Sequence, residues 1–310
     1  MTRPPAPHPL DFDWRYDRAT AERLACRLQG AGPVLILGAP SVASLLDEKG
    51  VEVTLVDRQP LQTAKRLVTS PVEDLEYLSV FRSALIDPPW YPRQLRDWSK
   101  IAGRAVGIGG EILISVWPAS TRPSATAELA QILSEFDDWA HVQRDVDSLT
   151  YAPPPFEIGA RRKCENDSLS RSPLLGELIA LSVRQLPPAV VKPEGLRTWH
   201  RFTVDDYQLA VRIDCPTTDR GVEPVVTADG WHWPYVSARA PGIEDIGIWS
   251  SAGEVGKVGD PTGLVQTLRK AFRASNDVDF ELELAEVQEL LSWSIPRPPY
   301  RRSIEWQHRQ

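Results

Sequence analysis

Apolar residues in the first half of the chain switch repeatedly between two spacings. Ala21, Leu24, Ala25 and Leu28 recur at intervals of three and four, predicting a helix over 20–28 that the Gly30-Ala31-Gly32-Pro33 run stops. Val34-Leu35-Ile36-Leu37 is then a short continuous apolar run, the pattern of a strand covered on both faces, and 40–49 returns to helical character. Further strands are predicted over 51–56, ending at Asp57, over 83–86, leading into Asp87, and over 112–116 after the Gly109-Gly110 turn. Helices are predicted over 91–106 and 124–136, with two late strands over 139–151 and 156–163.

Strands separated by helices imply right-handed crossovers, a largely parallel sheet and helices on both of its faces. The fold class read from the pattern is α/β, a Rossmann-like sheet of about seven strands. Beyond Lys163 the character changes. Residues 165–172 are polar, 174–186 read as helix, and Pro187-Pro188 breaks it. Short alternating strands follow, such as 202–213 and 247–258, then helices over 261–275 and 280–291. The expected organisation is a disordered proline-rich lead over 1–10, an α/β domain over 11–165, a linker with helix over 166–195, and a smaller α+β C-terminal domain over 196–310.

Composition narrows the function classes. Hydrophobic residues make up 42% and charged residues 25% of the 310-residue chain, and no apolar run approaches the about 20 residues that span a bilayer. With no apolar segment after Arg3, a secretory signal is not expected, and the expected location is the cytoplasm, away from any membrane. Cys26, Cys164 and Cys215 are far apart and share no metal-ligand spacing with the histidines, so no metal site is expected. The formal charge of −7 argues against autonomous, nonspecific nucleic-acid binding while leaving room for local basic patches.

Candidate chemistry collects at strand ends, where open α/β sheets bind ligands. Gly38-Ala39-Pro40-Ser41 follows the first strand. Its glycine permits close approach of a nucleoside, and the helix behind it offers free amides, although Pro40 departs from a glycine-rich turn. Asp57 lies close to the separation of about 20 residues at which an acid reaches ribose hydroxyls, the favoured reading; an acid that ends a strand and caps the following loop is the alternative. Asp87-Pro88-Pro89-Trp90 is the most specific motif. Two prolines fix the backbone, so the Asp87 carboxylate and Pro88 carbonyl form a rigid pair of acceptors for an NH₂ group. Trp90, with Tyr91, offers a flat face for a planar substrate. The bland alternative is a Pro-Pro helix start with Trp90 packed inward.

At these residues the chain resembles the amino-methyltransferase group of S-adenosylmethionine enzymes, whose motif [Asn/Asp/Ser]-Pro-Pro-[Tyr/Phe/Trp] is matched in full by Asp87, Pro88, Pro89 and Trp90. The RNA-modifying members that share Asp-Pro-Pro-Trp usually carry it before the cofactor glycines, whereas here it follows them. The chain is more similar to the adenine-N⁶ and elongation-factor lysine methyltransferase group, which has a Pro-Ser turn like Ala39-Pro40-Ser41-Val42. The likeness spans about 11–165. It implies S-adenosylmethionine as cofactor, held by Gly38, Ala39, Pro40, Ser41 and Asp57, and methyl transfer to an amine at Asp87, Pro88, Pro89 and Trp90, with Trp90 and Tyr91 on the substrate.

The preferred acceptor is the exocyclic amine of adenine in nucleic acid; a protein lysine or glutamine is the alternative. A noncatalytic methyltransferase-like module, meeting a protein partner through the C-terminal domain, is a further reading. A nicotinamide oxidoreductase would share the fold but leave Asp-Pro-Pro-Trp unexplained. Arg93, Arg96, Lys100 and Arg104 follow the motif on one helix face, as phosphate contacts or as a solvated surface. Trp199, Trp231, Trp233 and Trp249 are core anchors or an aromatic recognition surface. No nucleophile elbow accompanies Ser115, Ser120 or Thr121, and the phosphate-binding loop of nucleotide hydrolases is absent.

Overall fold

The computed structural model describes residues 14–30, 32–59, 64–154, 158, 173–191, 199–204, 207–217, 221–224, 245–251 and 255–273. They fall into two units, one up to Pro154 together with 173–191, the other Ile158 and the residues from Trp199 onward.

The first unit is built on an eight-stranded sheet. In chain order its elements are β1 (Arg15–Tyr16), α1 (Arg18–Leu28), β2 (Val34–Leu37), α2 (Pro40–Glu48), β3 (Val53–Asp57), β4 (Leu67–Thr69), β5 (Ser83–Ile86), α3 (Pro92–Val106), β6 (Glu111–Val116), α4 (Ala125–Phe136), β7 (Ala140–Ala152) and β8 (Leu174–Val183). Across the sheet the order is β1-β7-β8-β6-β5-β2-β3-β4. The run β6-β5-β2-β3-β4 pairs in parallel, and β8 inserts antiparallel between β6 and β7. The Rossmann-like α/β sheet expected from the alternation is present, with the two-residue β1 as an added edge.

Period-two alternation divides the strands between two apolar layers. Val34, Ile36, Leu55, Leu85, Leu113, Leu149 and Leu178 face α1 and α2; Leu35, Leu37, Ala84, Ile86, Ile112, Ile114 and Leu181 face α3 and α4. Burying both faces explains why the central strands read as continuous apolar runs. Each fully buried Leu or Ile contributes roughly 1.5–3 kcal/mol from apolar transfer. Local signals agree with this packing. Asp17 caps α1 by accepting the Thr20 amide at 2.8 Å. Pro92 suits the first turn of α3, which buries Leu95, Trp98, Ala102 and Ala105 at helical spacing before Gly107 ends it.

The sequence pattern misses β1 and β4, reads each of 202–213 and 247–258 as one strand where two are found, and misassigns one element outright. The stretch 174–186, expected to be helix within a linker, holds strand β8 over Leu174–Val183, paired with β6 and β7. Its Leu178, Ile179, Ala180, Leu181 and Val183 are all buried because the strand is covered on both faces, and a short apolar run of that kind has the same periodicity signature as a buried helix. Of the strand predicted over 156–163 only Ile158 is among the described residues, and the helix predicted over 280–291 lies outside them.

The second unit holds a five-stranded antiparallel sheet, β9 (Trp199–Val204), β10 (Tyr207–Arg212), β11 (Val222–Pro224), β12 (Ile248–Ser250) and β13 (Val255–Val258), in the order β11-β13-β12-β10-β9, with helix α5 (Pro261–Arg273). Phe202, Leu209, Val211, Ile248 and Val258 form its core with Val265 and Leu268 of α5. This is the smaller α+β fold that the alternating strands predict.

Candidate active site

β5, β2 and β3 are neighbours, so Asp87, Gly38 and Asp57 stand together at the carboxyl ends of adjacent strands. The switch in strand order falls there too, since the chain runs outward from β2 in one direction through β3 and β4 and in the other through β5 and β6. Gly38 donates its amide to the Val56 carbonyl at 3.1 Å, and Asp87 donates its own to the Leu37 carbonyl at 3.0 Å, which ties the two turns together. Gly38 has φ +72°, and a Cβ built there would lie 3.1 Å from the Asp87 carbonyl oxygen and 3.1 Å from Trp98 Cζ3. Both the turn and the close approach require glycine. Trp98 is held in place by its indole N–H, which donates to Glu73 at 3.1 Å, and Glu73 in turn pairs with Arg58 at 3.2 Å.

Behind Gly38, α2 starts at Pro40 and has no side-chain cap. Ser41 places a buried hydroxyl without a hydrogen-bond partner in its first turn. Asp57 caps the loop after β3, its Oδ1 accepting the Gln59 amide at 2.8 Å. The loop-capping role weighed from the sequence is therefore present in the geometry.

Asp87 is the best-supported side chain of the group. Its Oδ1 accepts from the Tyr151 hydroxyl at 2.8 Å and from the Ser115 hydroxyl. The convergence follows from strand alternation. Leu85, Leu113, Leu178 and Leu149 face α1 and α2 on β5, β6, β8 and β7. Two residues from each, on the same face, stand Asp87, Ser115, Gly176 and Tyr151. Tyr16 joins them as the direct cross-strand partner of Tyr151, with ring centroids 4.8 Å apart. The Tyr16 hydroxyl is buried and makes no well-formed hydrogen bond, yet it is close enough to Asp87 to feel its charge.

Burial pushes the Tyr16 and Tyr151 hydroxyls well above the usual tyrosine range, and the negative charge of Asp87 pushes them further. Both stay protonated at neutral pH, and Tyr151 donates to Asp87.

Pro88 is buried and Pro89 and Trp90 are half-buried. The Trp90 ring meets Tyr151 edge-on at 5.7 Å, touches both apolar layers, and lies over Gly176, whose added Cβ would be 3.1 Å from Trp90 Cζ2. This is the inward packing weighed as the alternative to a freely offered stacking face. Arg122, stacked on Trp117 at 4.5 Å and paired with Glu128, donates to the Trp90 carbonyl at 3.2 Å and fastens the motif from the loop after β6. Half-buried Tyr91 precedes α3, its carbonyl accepting the Leu95 amide.

Much of the basic row on α3 is engaged internally. Arg96 forms a two-point pair with Glu135 at 2.8 and 2.9 Å, Arg93 pairs with Asp97, and Arg104 donates to the Pro187 carbonyl. In the second unit Trp249 is 1% exposed and packs against Trp199 at 6.3 Å, an anchoring role; Trp231 and Trp233 lie outside the described residues. Among the described residues no helix is long and apolar enough to cross a membrane.

Sequence reading missed Tyr16, Tyr151, Gly176 and Arg122, and considered Ser115 only as a nucleophile. No local motif marks them. Strand register brings the first three together with Ser115, and it becomes readable only once β8 is assigned as a strand.

No family model matches the chain, and no curated protein matches it in sequence. Solved structures resemble it at low identity. A SAM-dependent methyltransferase from Archaeoglobus fulgidus is 16% identical, with a TM-score of 0.34 over 52% of this chain and 94% of that one. The 1,6-didemethyltoxoflavin-N1-methyltransferase of Burkholderia thailandensis, solved with S-adenosylhomocysteine, is 18% identical, with a TM-score of 0.36 over 54% and 77%. A 16S rRNA N2 methyltransferase from T. thermophilus, solved with AdoMet and guanosine, is 9% identical, with a TM-score of 0.35 over 64% and 46%. Likeness at these scores adds nothing to the strand order already described.

Proposed function

We propose that this protein is an S-adenosylmethionine-dependent methyltransferase acting on an amine nitrogen, with the exocyclic amine of adenine in nucleic acid as preferred acceptor. The observation that carries the reading is Asp87-Pro88-Pro89-Trp90 at the carboxyl end of β5, beside the switch in strand order, with the Asp87 carboxylate oriented by two hydroxyl donors.

The residues present suit a nucleoside-bearing cofactor. Gly38 makes the left-handed turn at the end of β2, packed against the Asp87 carbonyl and Trp98 where a side chain would not fit, Ser41 supplies an orphaned buried hydroxyl at the start of α2, and Asp57 ends the neighbouring strand. Gly38, Ala39, Pro40, Ser41 and Asp57 would hold the cofactor, whose sulfonium supplies an electrophilic methyl group. The protein's task is then alignment. Asp87 and the Pro88 carbonyl accept the two amine hydrogens, which turns the nitrogen lone pair toward the methyl carbon, and the prolines keep that pair rigid. Trp90 and Tyr91 flank the acceptor as a shaped wall.

Protonation states favour a base over lysine. The Tyr151 and Ser115 hydroxyls already donate to Asp87, so neither is placed to take the proton that a lysine ammonium must lose before it can accept a methyl group. The exocyclic amine of adenine is neutral from the start. A protein lysine or glutamine stands as the alternative acceptor. The inward packing of Trp90 favours the further reading of a noncatalytic module. Incubating nucleic-acid and protein fractions with isotopically labelled S-adenosylmethionine, followed by mass spectrometry, tests the proposal. Label on adenine supports it, label on lysine or glutamine moves the acceptor to protein, and no label in either fraction rejects catalysis.

A further inference from the structure

We infer that Tyr151, reaching across the sheet over Gly176, is the positioning residue that fixes the Asp87 carboxylate together with Ser115; the inference rests on the methyl-transfer reading above.

Three strand spacings, roughly 14 Å, separate β7 from β5. A hydrogen bond between Tyr151 and Asp87 therefore needs a long side chain on one side, a turn off the strand on the other, and a clear path between them. All three are present. Tyr151 is the longest side chain on its face of β7, Asp87 follows the last residue of β5, and β8, which lies between, carries glycine at position 176. A Cβ at Gly176 would stand 3.0 Å from Tyr151 Cε2 and 3.1 Å from Trp90 Cζ2, closer than nearly all real contacts. Tyr16 closes the other side of the Tyr151 ring. The ring is thus held between Tyr16, Gly176 and Trp90, and its hydroxyl has one direction to take. Ser115, 1% exposed on β6, donates to the same oxygen. Two hydroxyls on one carboxylate oxygen set its rotamer before any acceptor arrives, and such preorganisation raises turnover more than it raises affinity.

The test uses the full-length protein in four forms: wild type, Tyr151→Phe, Gly176→Ala and the double variant. Labelled S-adenosylmethionine is the donor, with unmodified total RNA and single-stranded DNA as acceptors. Tyr151→Phe keeps the ring and removes only the hydroxyl. It should lower kcat by about tenfold or more while KM for the donor stays within about twofold. Gly176→Ala, which crowds both the Tyr151 and the Trp90 rings, should lower kcat at least as much, and removing the hydroxyl as well should add less than the loss that Tyr151→Phe shows alone, since the shared bond is already disturbed. Additive losses, or a Tyr151→Phe enzyme with wild-type kcat, would overturn the inference. A second measurement needs no turnover. In the protein without cofactor, the Tyr151 hydroxyl proton should give a slowly exchanging downfield resonance that is lost in Tyr151→Phe and moves in Asp87→Asn. A resonance indifferent to Asp87→Asn overturns the cluster itself; wild type that transfers no methyl overturns the functional reading instead.

Discussion

Gly38→Ala, compared with Gly50→Ala, isolates what the turn after β2 contributes beyond its backbone angle. The two glycines have nearly the same conformation, φ +72° and +75°, and differ in surroundings. At Gly50 nothing lies within 4 Å of an added Cβ, so alanine there carries only the penalty of a left-handed residue, about 1–2 kcal/mol. At Gly38 the same penalty applies, and the methyl group also meets a backbone oxygen and an indole carbon at 3.1 Å. The oxygen belongs to Asp87 and is tied into the sheet through that residue's amide. The indole is tethered to Glu73. Neither yields freely, so Gly38→Ala should cost roughly 1–2 kcal/mol more than Gly50→Ala, in the range of overpacking. Urea unfolding of both variants measures the difference. Because the displaced groups border the proposed cofactor cradle, calorimetric titration with S-adenosylmethionine should show affinity reduced at least about tenfold in Gly38→Ala and unchanged in Gly50→Ala. Equal stability and equal affinity in the two variants would refute the reasoning.

Two other perturbations follow from the site. The folded pKa values of Tyr16 and Tyr151 lie above the unfolded value of about 10. Their contribution to stability is therefore complete below about pH 10 and is lost as pH rises through the folded values, at about 1.4 kcal/mol per pH unit for each hydroxyl. The variant Tyr16→Phe/Tyr151→Phe should lose urea resistance less steeply above about pH 10 than wild type does; equal slopes would contradict the assignment. Arg122→Gln removes the hydrogen bond to the Trp90 carbonyl and the pair with Glu128. It should lower stability by about 1–2 kcal/mol and raise KM for the acceptor while leaving donor affinity alone, readable by thermal denaturation and steady-state kinetics.

The α/β alternation was legible because strands buried on both faces and amphipathic helices leave different spacings. Val34–Leu37 and Ser83–Ile86 are found at the residues where the apolar runs predict them. β8 was not legible, since Leu178 to Leu181 is a continuous apolar run with no polar position to mark a period of two. That one misassignment hides the cluster around Asp87. With 174–186 taken as helix, nothing brings Tyr151 near Asp87, and Gly176 has no evident purpose. The motif itself could be read because its chemistry is local: two prolines, a carboxylate and an aromatic in sequence. Its support is nonlocal, supplied by β1, β6, β7 and β8 through register alone. The role of Trp90 shows the same limit. Sequence offers it as a stacking face, and only the packing reveals its edge-on contact with Tyr151.

The central claim, an amine methyltransferase organised by Asp87, is tested most directly by pairing one transfer assay with one binding assay on wild type and Asp87→Ala. Wild type should place the label from S-adenosylmethionine on an amine nitrogen, detected by mass spectrometry of the digested acceptor. Asp87→Ala should bind S-adenosylmethionine with affinity within about threefold of wild type and lose transfer by at least about a hundredfold, the scale of removing one preorganised polar group. Transfer at the wild-type rate by Asp87→Ala, or label found on a group other than an amine, would contradict the account.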